Sequence, residues 1–575
     1  MRVRRLFACI ALIGLVAASP GPSTGGDANA KFEALAHDAI YTGFRLSPVF
    51  ATRVGVHTYD AQLDDMSAAS IQKQIAMLKN YLAKFEAIDP KSLTANNALD
   101  RTLMIDNMKD QLLDADTLQV WRHNPDAYTG LASGSVYLLI SRDFAPAATR
   151  MKDAIARERA IPGMLVQAKK NITTVDAATK EIAAEQAAGS VGFFAQTVPQ
   201  AFASVKDTAL QAQLKAANAA VMKAMAAHAA WIKTIKPSGT FAIGRDAYEK
   251  KLQYEDALDM PVSEYLSYGE KALAQTHAQF IATAKKIDAS KTPQEVYASL
   301  AKVYPPPRTL LQKAQGDLVK LRAFVISHHI LTMPSDANIK VVETPPFQRA
   351  FITAAEDSPG ALETHATQAY YYVTPPDPKW PADRMRGFMA QFNNYQFPII
   401  SAHEVYPGHY TNFAVDRHLN LSLVRRIGFS SEFAEGWAHY SEQMMVDEGW
   451  GNGDPHVRLG QLEEALLREC RYIVGVQLHT GGWTLKQAEN LFTTQCFQTP
   501  AVALEETMRG TQDPMYGYYT LGKLMILKLR ADYKKKMGSA FTLQSFHDAL
   551  LAHGDPPIPL LRPMILGSAD DGKPL

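Results

Sequence analysis

Cysteine is scarce. The 575 residues contain three, and none forms a CxxC pair, which excludes a zinc cluster built on cysteine. A surplus of one charge is also missing. Lys and Arg number 59 against 58 Asp and Glu, with no long run of either sign. A nucleic-acid partner would favour a basic stripe, so none is expected, and a polyanionic substrate is not indicated. No tandem repeat of fixed period occurs.

What is present suffices for a large core, since 47% of the residues are hydrophobic. The chain opens MRVRRLFACIALIGLVAASPGPSTGG. Arg2, Arg4 and Arg5 precede an apolar stretch from Leu6 to Ala18, too short to span a bilayer comfortably, and small residues follow. This is the pattern of a secretory signal peptide over residues 1–19. It implies a periplasmic or secreted protein with no stable membrane span after cleavage. Cys9 lies early in the apolar stretch, which argues against a lipoprotein cleavage site. Loss of the segment leaves 56 basic and 58 acidic groups. Cys470 and Cys496 then remain. An oxidising compartment permits a bridge between them, but two cysteines 26 apart in so long a chain are expected to be free thiols.

Residues 20–30, rich in Pro, Gly, Ser and Ala, read as a disordered linker. From about 31 the texture is helical. Ile71, Ile75, Leu78, Leu82 and Phe85 form one stripe of an amphipathic helix that Asp89-Pro90 ends. Residues 150–235 are dense in good helix formers. Further helices are expected over 261–287 and 308–330, separated by Pro305-Pro306-Pro307. Near 335 the texture changes: NIKVVET and QAYYYVT read as two short strands. Helices resume at about 382, and Gly554 with the tail PPIPLLRP is expected to close the last one. The fold class is therefore mainly α with one small β-sheet. The expected organisation is a helical region over 31–334 and a second region over 335–575, separate or interleaved.

The stretch HEVYPGH at 403–409 admits two readings. In the first, Ser401 caps a helix, Glu404 reaches back to complete a capping box, and Ile400 with Val405 forms a hydrophobic staple. In the second, His403 and His409 share a metal. Zinc sites of the His-Glu type commonly place the two histidines at i and i+4. At i and i+6 a regular helix turns the rings about 120° apart. Proline lacks the amide hydrogen and clashes with the preceding turn, while glycine tolerates unusual dihedrals. Pro407-Gly408 could thus absorb two extra residues and return His409 to the i+4 place. SEFAEGWAHYSE at 431–442 then offers Glu435 as third ligand, and His439 or Glu442 as a partner orienting an imidazole. Phe433, Trp437 and Tyr440 in that segment are expected in the core.

HEVYPGH with EGWAHYSE strongly resembles the bacterial domain-of-unknown-function 885 family, whose members carry HExxPGH and EGWAxYxE. GRDAYEKKL (244–252) and YYTLGKLMILKLR (518–530) extend the resemblance, from about residue 32 to the C-terminus. The family is similar to zinc peptidases with two His ligands and one Glu, whose helical lobes flank a deep channel. The resemblance implies one Zn2+ per chain on His403, His409 and Glu435, with Glu404 as general base. The chain departs at Tyr410 and Asn412, where His and Gln are frequent. Arg509 and Tyr519 are candidate donors to an oxyanion, with Tyr519 matching the family tyrosine before its Gly, whereas Tyr516 and Tyr518 read mostly as packing. The expectation is a zinc-dependent hydrolysis of short peptides, with an edge strand supplied by QAYYYVT. Two alternatives stay open: a metal-dependent hydrolase of another amide or ester, and a silent binding protein of the same fold. Oligomeric state and end- or mid-chain action stay open too.

Overall fold

The computed structural model describes residues 24–575 except 346–348, 350 and 351. The expected signal peptide lies outside the described residues, as do 20–23. The rest of the expected linker is ordered: 24–30 form the first turns of the helix Thr24–Leu46. Ala and Lys after Gly25-Gly26 favour helix, and Phe32, Ala36, Ala39 and Phe44 bury one stripe.

The fold is mainly α. The stripe at 71–85 lies on the helix Ala68–Glu86, capped by the Ser67 side chain, with Ile71, Ile75, Leu78 and Phe85 buried. The helix-forming stretch 150–235 makes three long helices, Ala147–Asn171, Ala177–Gly192 and Thr208–Thr234, and the short Val198–Ala201. They share a core with the preceding helix Asp126–Ile140. The helices expected after them run over Val262–Ile287 and Leu310–Ser327. Among the described residues, no helix is long and apolar enough to cross a membrane.

Both expected strands form, β1 at Ile339–Glu343 and β3 at Ala369–Val373. A third, β2 at Ala354–Asp357, was not foreseen. Its sequence AAED lacks the β-branched and aromatic residues that mark strands. The order is β1-β3-β2, with β1 parallel and β2 antiparallel to β3. The QAYYYVT strand is therefore central, and the edges belong to β1 and β2.

The proline-rich tail also departs from expectation. After the helix Leu543–Leu551, the segment Ile558–Leu566 forms a further helix. Pro559 sits in its first turn, where a missing amide hydrogen is harmless. Ile558, Leu561 and Ile565 bury its apolar face, and Lys536 Nζ bonds the Ile565 carbonyl. Cys470 and Cys496 form a disulfide instead of remaining free, at a Cα separation of 6.4 Å. The helix Leu485–Thr494 folds back on Pro455–Thr480, which brings both cysteines into one buried cluster.

The main core draws on residues from Tyr248 to Leu566. It holds the sheet, both halves of the 403–409 stretch, and the helices Ser431–Asp447 and Tyr518–Met537. Those two helices press together at Gly436 and Gly522. A Cβ on Gly522 would stand 1.9 Å from the Glu432 carbonyl, and one on Gly436 2.5 Å from the Gly522 Cα. Only glycine at both places permits this approach, and Tyr519 and Glu435, on the two helices, line one cavity.

Candidate metal centre

The helix carrying His403 runs over Phe397–Glu404, and a second begins at His409. Ser401 is therefore inside a helix, not at its cap. Its side chain is buried against the Tyr371 hydroxyl at 3.1 Å, so the capping box does not form. The break between the helices is held by bonds spanning six residues instead of four. Gly408 N donates to the Ala402 carbonyl at 2.9 Å, and Thr411 N to that of Val405 at 3.2 Å. The detour thus takes up two residues. Trp437 Nε1 donates to the Pro407 carbonyl at 2.9 Å. Gly408 is required, since a Cβ there would stand 1.7 Å from the His403 carbonyl oxygen.

The outcome is convergence. The His403 and His409 rings lie 4.7 Å apart and nearly perpendicular. His403 Nε2 is 3.4 Å and His409 Nε2 3.3 Å from the same atom, Glu435 Oε2. The three donor atoms lie within 4.8 Å of one another. An ion about 2.0–2.1 Å from each ligand, in tetrahedral geometry, sets its donors about 3.3 Å apart. Glu435 Oε2 is buried and makes no hydrogen bond among the described residues, although two imidazole nitrogens face it. Two imidazoles and a carboxylate are a donor set that zinc takes. The residues present therefore fit the ion that the motif implies.

Glu442 supplies the partner of His403. Its Oε1 accepts from Nδ1 at 2.7 Å, which leaves Nε2 for the ion. Arg468 Nη2 stands 3.2 Å from the same oxygen. Burial opposes ionisation of Glu442. Arg468, and then the imidazoles of His439 and His403, outweigh burial and hold its carboxyl well below the usual range. His403 shows the same contest. Burial pulls it down, but the Glu435 and Glu442 carboxylates prevail and raise it to about 9. Glu435 stays charged likewise: burial opposes, and the His409 and His403 imidazoles win.

His439 is not at the reacting face. It is wholly buried, its Nδ1 faces Glu442 at 3.3 Å, and burial lowers it to about 3. It sits one turn beyond Glu435, and that turn carries it past the cavity to the far side of Glu442. Its contact is with the partner of a ligand, not with a ligand.

A cavity of about 590 Å³ opens over the three ligands, a volume usual for small-ligand sites. Glu404 lines it. Glu404 Oε2 accepts from the Glu356 amide of β2 at 2.9 Å. Tyr519 lines it as well, with its ring 6.4 Å from that of His403. Arg509 Nη2 donates to the hydroxyls of Tyr519 and Tyr518, each at 3.3 Å. Arg509 thus touches the candidate oxyanion donor and not the ligands. Tyr516 is wholly buried and bonds a backbone carbonyl, and Tyr518 bonds Asp513. The substituted Tyr410 and Asn412 are both buried, and Asn412 Nδ2 bonds Asp555 at 2.9 Å.

Sequence reasoning missed the wall 352–356 and the arginines 468 and 471, all of which line the cavity. Glu356 belongs to that wall, and burial pushes its carboxyl up to about 8. The arginines lie on Pro455–Thr480, a helix that nothing in its local pattern ties to the motif.

Among solved structures, the chain is similar to a protein of Shewanella oneidensis described as "a putative lipoprotein of unknown function". Identity is 25%, the TM-score 0.80, and the match covers 93% of this chain and 99% of that one. A "putative lipoprotein" from Colwellia psychrerythraea shares the fold at 18% identity and a TM-score of 0.78, covering 95% and 100%. No curated protein matches. A family model described as "Bacterial protein of unknown function (DUF885)" matches residues 48–565, and the chain belongs to that family.

Proposed function

We propose that the protein is an exported, zinc-dependent peptidase acting on short peptides. The observation that carries this is the meeting of His403 Nε2, His409 Nε2 and Glu435 Oε2, with Glu404 beside them on the same cavity wall. His403, His409 and Glu435 would hold the ion. When bound, it supplies a Lewis acid that polarises a carbonyl and acidifies water.

The protein's own groups do the rest. Glu404 is fixed through Oε2 by the Glu356 amide, which leaves Oε1 to take a proton from water and deliver it to the departing amine. The Tyr519 hydroxyl accepts from Arg509, so its own hydrogen is free to point at the developing oxyanion. Glu442 holds the His403 ring in one tautomer.

A peptide is favoured over another amide or ester by β2. This strand pairs on one side only. Thr353 turns its carbonyl toward β3 and Glu356 turns its amide away from it. Alternation then turns the N–H and C=O of Ala354 outward, and Ala354 lines the cavity. An extended peptide can add there as a further strand. Export is supported by the N-terminal segment and by the description of two proteins of similar fold as a "putative lipoprotein".

The test is metal content together with hydrolysis of a peptide library, on wild type and Glu404→Gln. About one zinc per chain in both proteins, with turnover in the first alone, is expected. Turnover that persists in Glu404→Gln removes the assigned base. Absence of zinc from both removes the centre.

A further inference from the structure

We propose that Arg509 binds a carboxylate of the substrate, so that the site takes peptides by a free C-terminal carboxylate or an acidic side chain near the cut bond. The inference rests on the peptidase reading and assigns its substrate class.

Three guanidinium groups surround the Tyr519 ring. The Cζ atoms of Arg468, Arg471 and Arg509 lie 5.5, 5.2 and 6.0 Å from its centroid. All three line the cavity. They differ in what already holds them. Arg471 forms a two-pronged pair with Glu506, both bonds 2.7 Å. Arg468 is tied to Glu464 and faces Glu442. Both are buried, and their charges are met. Arg509 is not met in this way. Its side chain is 37% exposed, and the nearest carboxylate, Asp513, stands 3.8 Å from Nη2, beyond hydrogen-bond range. Asp513 accepts from the Tyr518 hydroxyl instead. The bonds of Arg509 to phenols both use Nη2. Among the described residues Nε and Nη1 have no hydrogen-bond partner, so Nη1 keeps both of its hydrogens for an anionic oxygen, and the charge that a carboxylate would meet is already there.

The placement suits a substrate already engaged at the metal. Tyr519 bridges the gap, its ring 6.4 Å from His403 and its hydroxyl 3.3 Å from Arg509. That is within about three residues of extended chain. The opposite wall does not offer an equivalent for a free amine. Its acidic groups are Glu404, which the proposed reaction uses as its base, and Glu356, which accepts from the Ser358 hydroxyl and whose ionisation burial opposes.

The probes are pools of N-acetylated tetrapeptides randomised over uncharged residues, as free acids and as C-terminal amides. A third pool is amidated and carries one Glu. A fourth is amidated with a free amine. Zinc-loaded full-length Glu404→Gln is dialysed to equilibrium against each, and retained peptide is measured by mass spectrometry. Wild type is scored for cleavage of the same pools. Retention of the acid pool should exceed that of the neutral amide by about 10- to 100-fold, the range of a charge-assisted hydrogen bond. In Arg509→Gln the acid-to-amide ratio should fall to near one, and Arg509→Lys should keep part of it. An arginine that merely steadies Tyr519 weakens both pools together and leaves the ratio unchanged, which overturns the proposal. Preference for the Glu-bearing amide supports it and names the side chain as the source. Equal retention of all pools, or preference for the free amine, overturns it, and the wild-type ratio alone decides this should a variant fail to fold. Retention of acids without cleavage by wild type sinks the peptidase reading and spares this one. Cleavage without preference for a carboxylate does the reverse.

Discussion

Two wholly buried glutamates show how differently the two ends of the chain treat one residue type. Glu158, on the helix Ala147–Asn171, is surrounded by the helical core near residues 128–232. Among the described residues neither of its oxygens has a hydrogen-bond partner, and burial pushes its carboxyl up to about 8. Glu442 is as deeply buried, yet Arg468 and two imidazoles keep it ionised. Desolvation disfavours the charged form in both places. What differs is the company. The first glutamate is a neutral acid inside a helical bundle. The second is a fixed negative charge that holds a cationic and imidazole network in place beside the proposed metal centre.

The largest effect should come from the group this network serves. Glu404→Gln should lower kcat/KM on peptides by about 10²–10⁴-fold while leaving zinc content unchanged by elemental analysis. Tyr519→Phe should cost on the order of 10²–10³-fold, mostly in kcat, because the phenol acts on developing charge. An equal loss in KM alone would assign it to substrate binding. Glu442→Gln sharpens the comparison directly. It keeps the shape and removes the charge, and zinc affinity measured against a chelator should fall by about 10–100-fold. An unchanged affinity would mean that buried charge at the site does no more than Glu158 does in the bundle.

The sequence carried the fold class, the long amphipathic helices and both strands rich in β-branched or aromatic residues, because those signals are local. It also carried the grouping of His403, His409 and Glu435. Residues at i and i+6 are incompatible with one helical face, and Pro-Gly between them supplied a physical means of bringing them together. The six-residue hydrogen bonds at Gly408 and Thr411 are that means. What it missed depended on long-range contact. AAED has no strand signal and pairs only because β3 lies beside it. His439 and Glu442 stand one and two turns from Glu435, and only the rotation of the helix in its bundle decides that Glu442 meets His403. The disulfide, likewise, followed from how one helix folds back on another.

The smallest effect tests the other half of the comparison. In the folded state Glu158 holds its proton up to about pH 8, whereas in the unfolded chain it loses it near ~4.3. Below about pH 4 both states are protonated, and the group contributes no pH dependence. Between those values the unfolded state alone is ionised, so stability falls as pH rises, and above about 8 the loss is complete. Glu158→Gln removes that proton from the balance while keeping shape and one acceptor. It should match wild type in urea unfolding at pH 4.5 and gain on the order of 1–3 kcal/mol at pH 7. A gain of the same size at both pH values would point to hydrogen bonding by the new amide. No gain at pH 7 would mean that Glu158 is charged and partnered after all, and the two glutamates would then be alike.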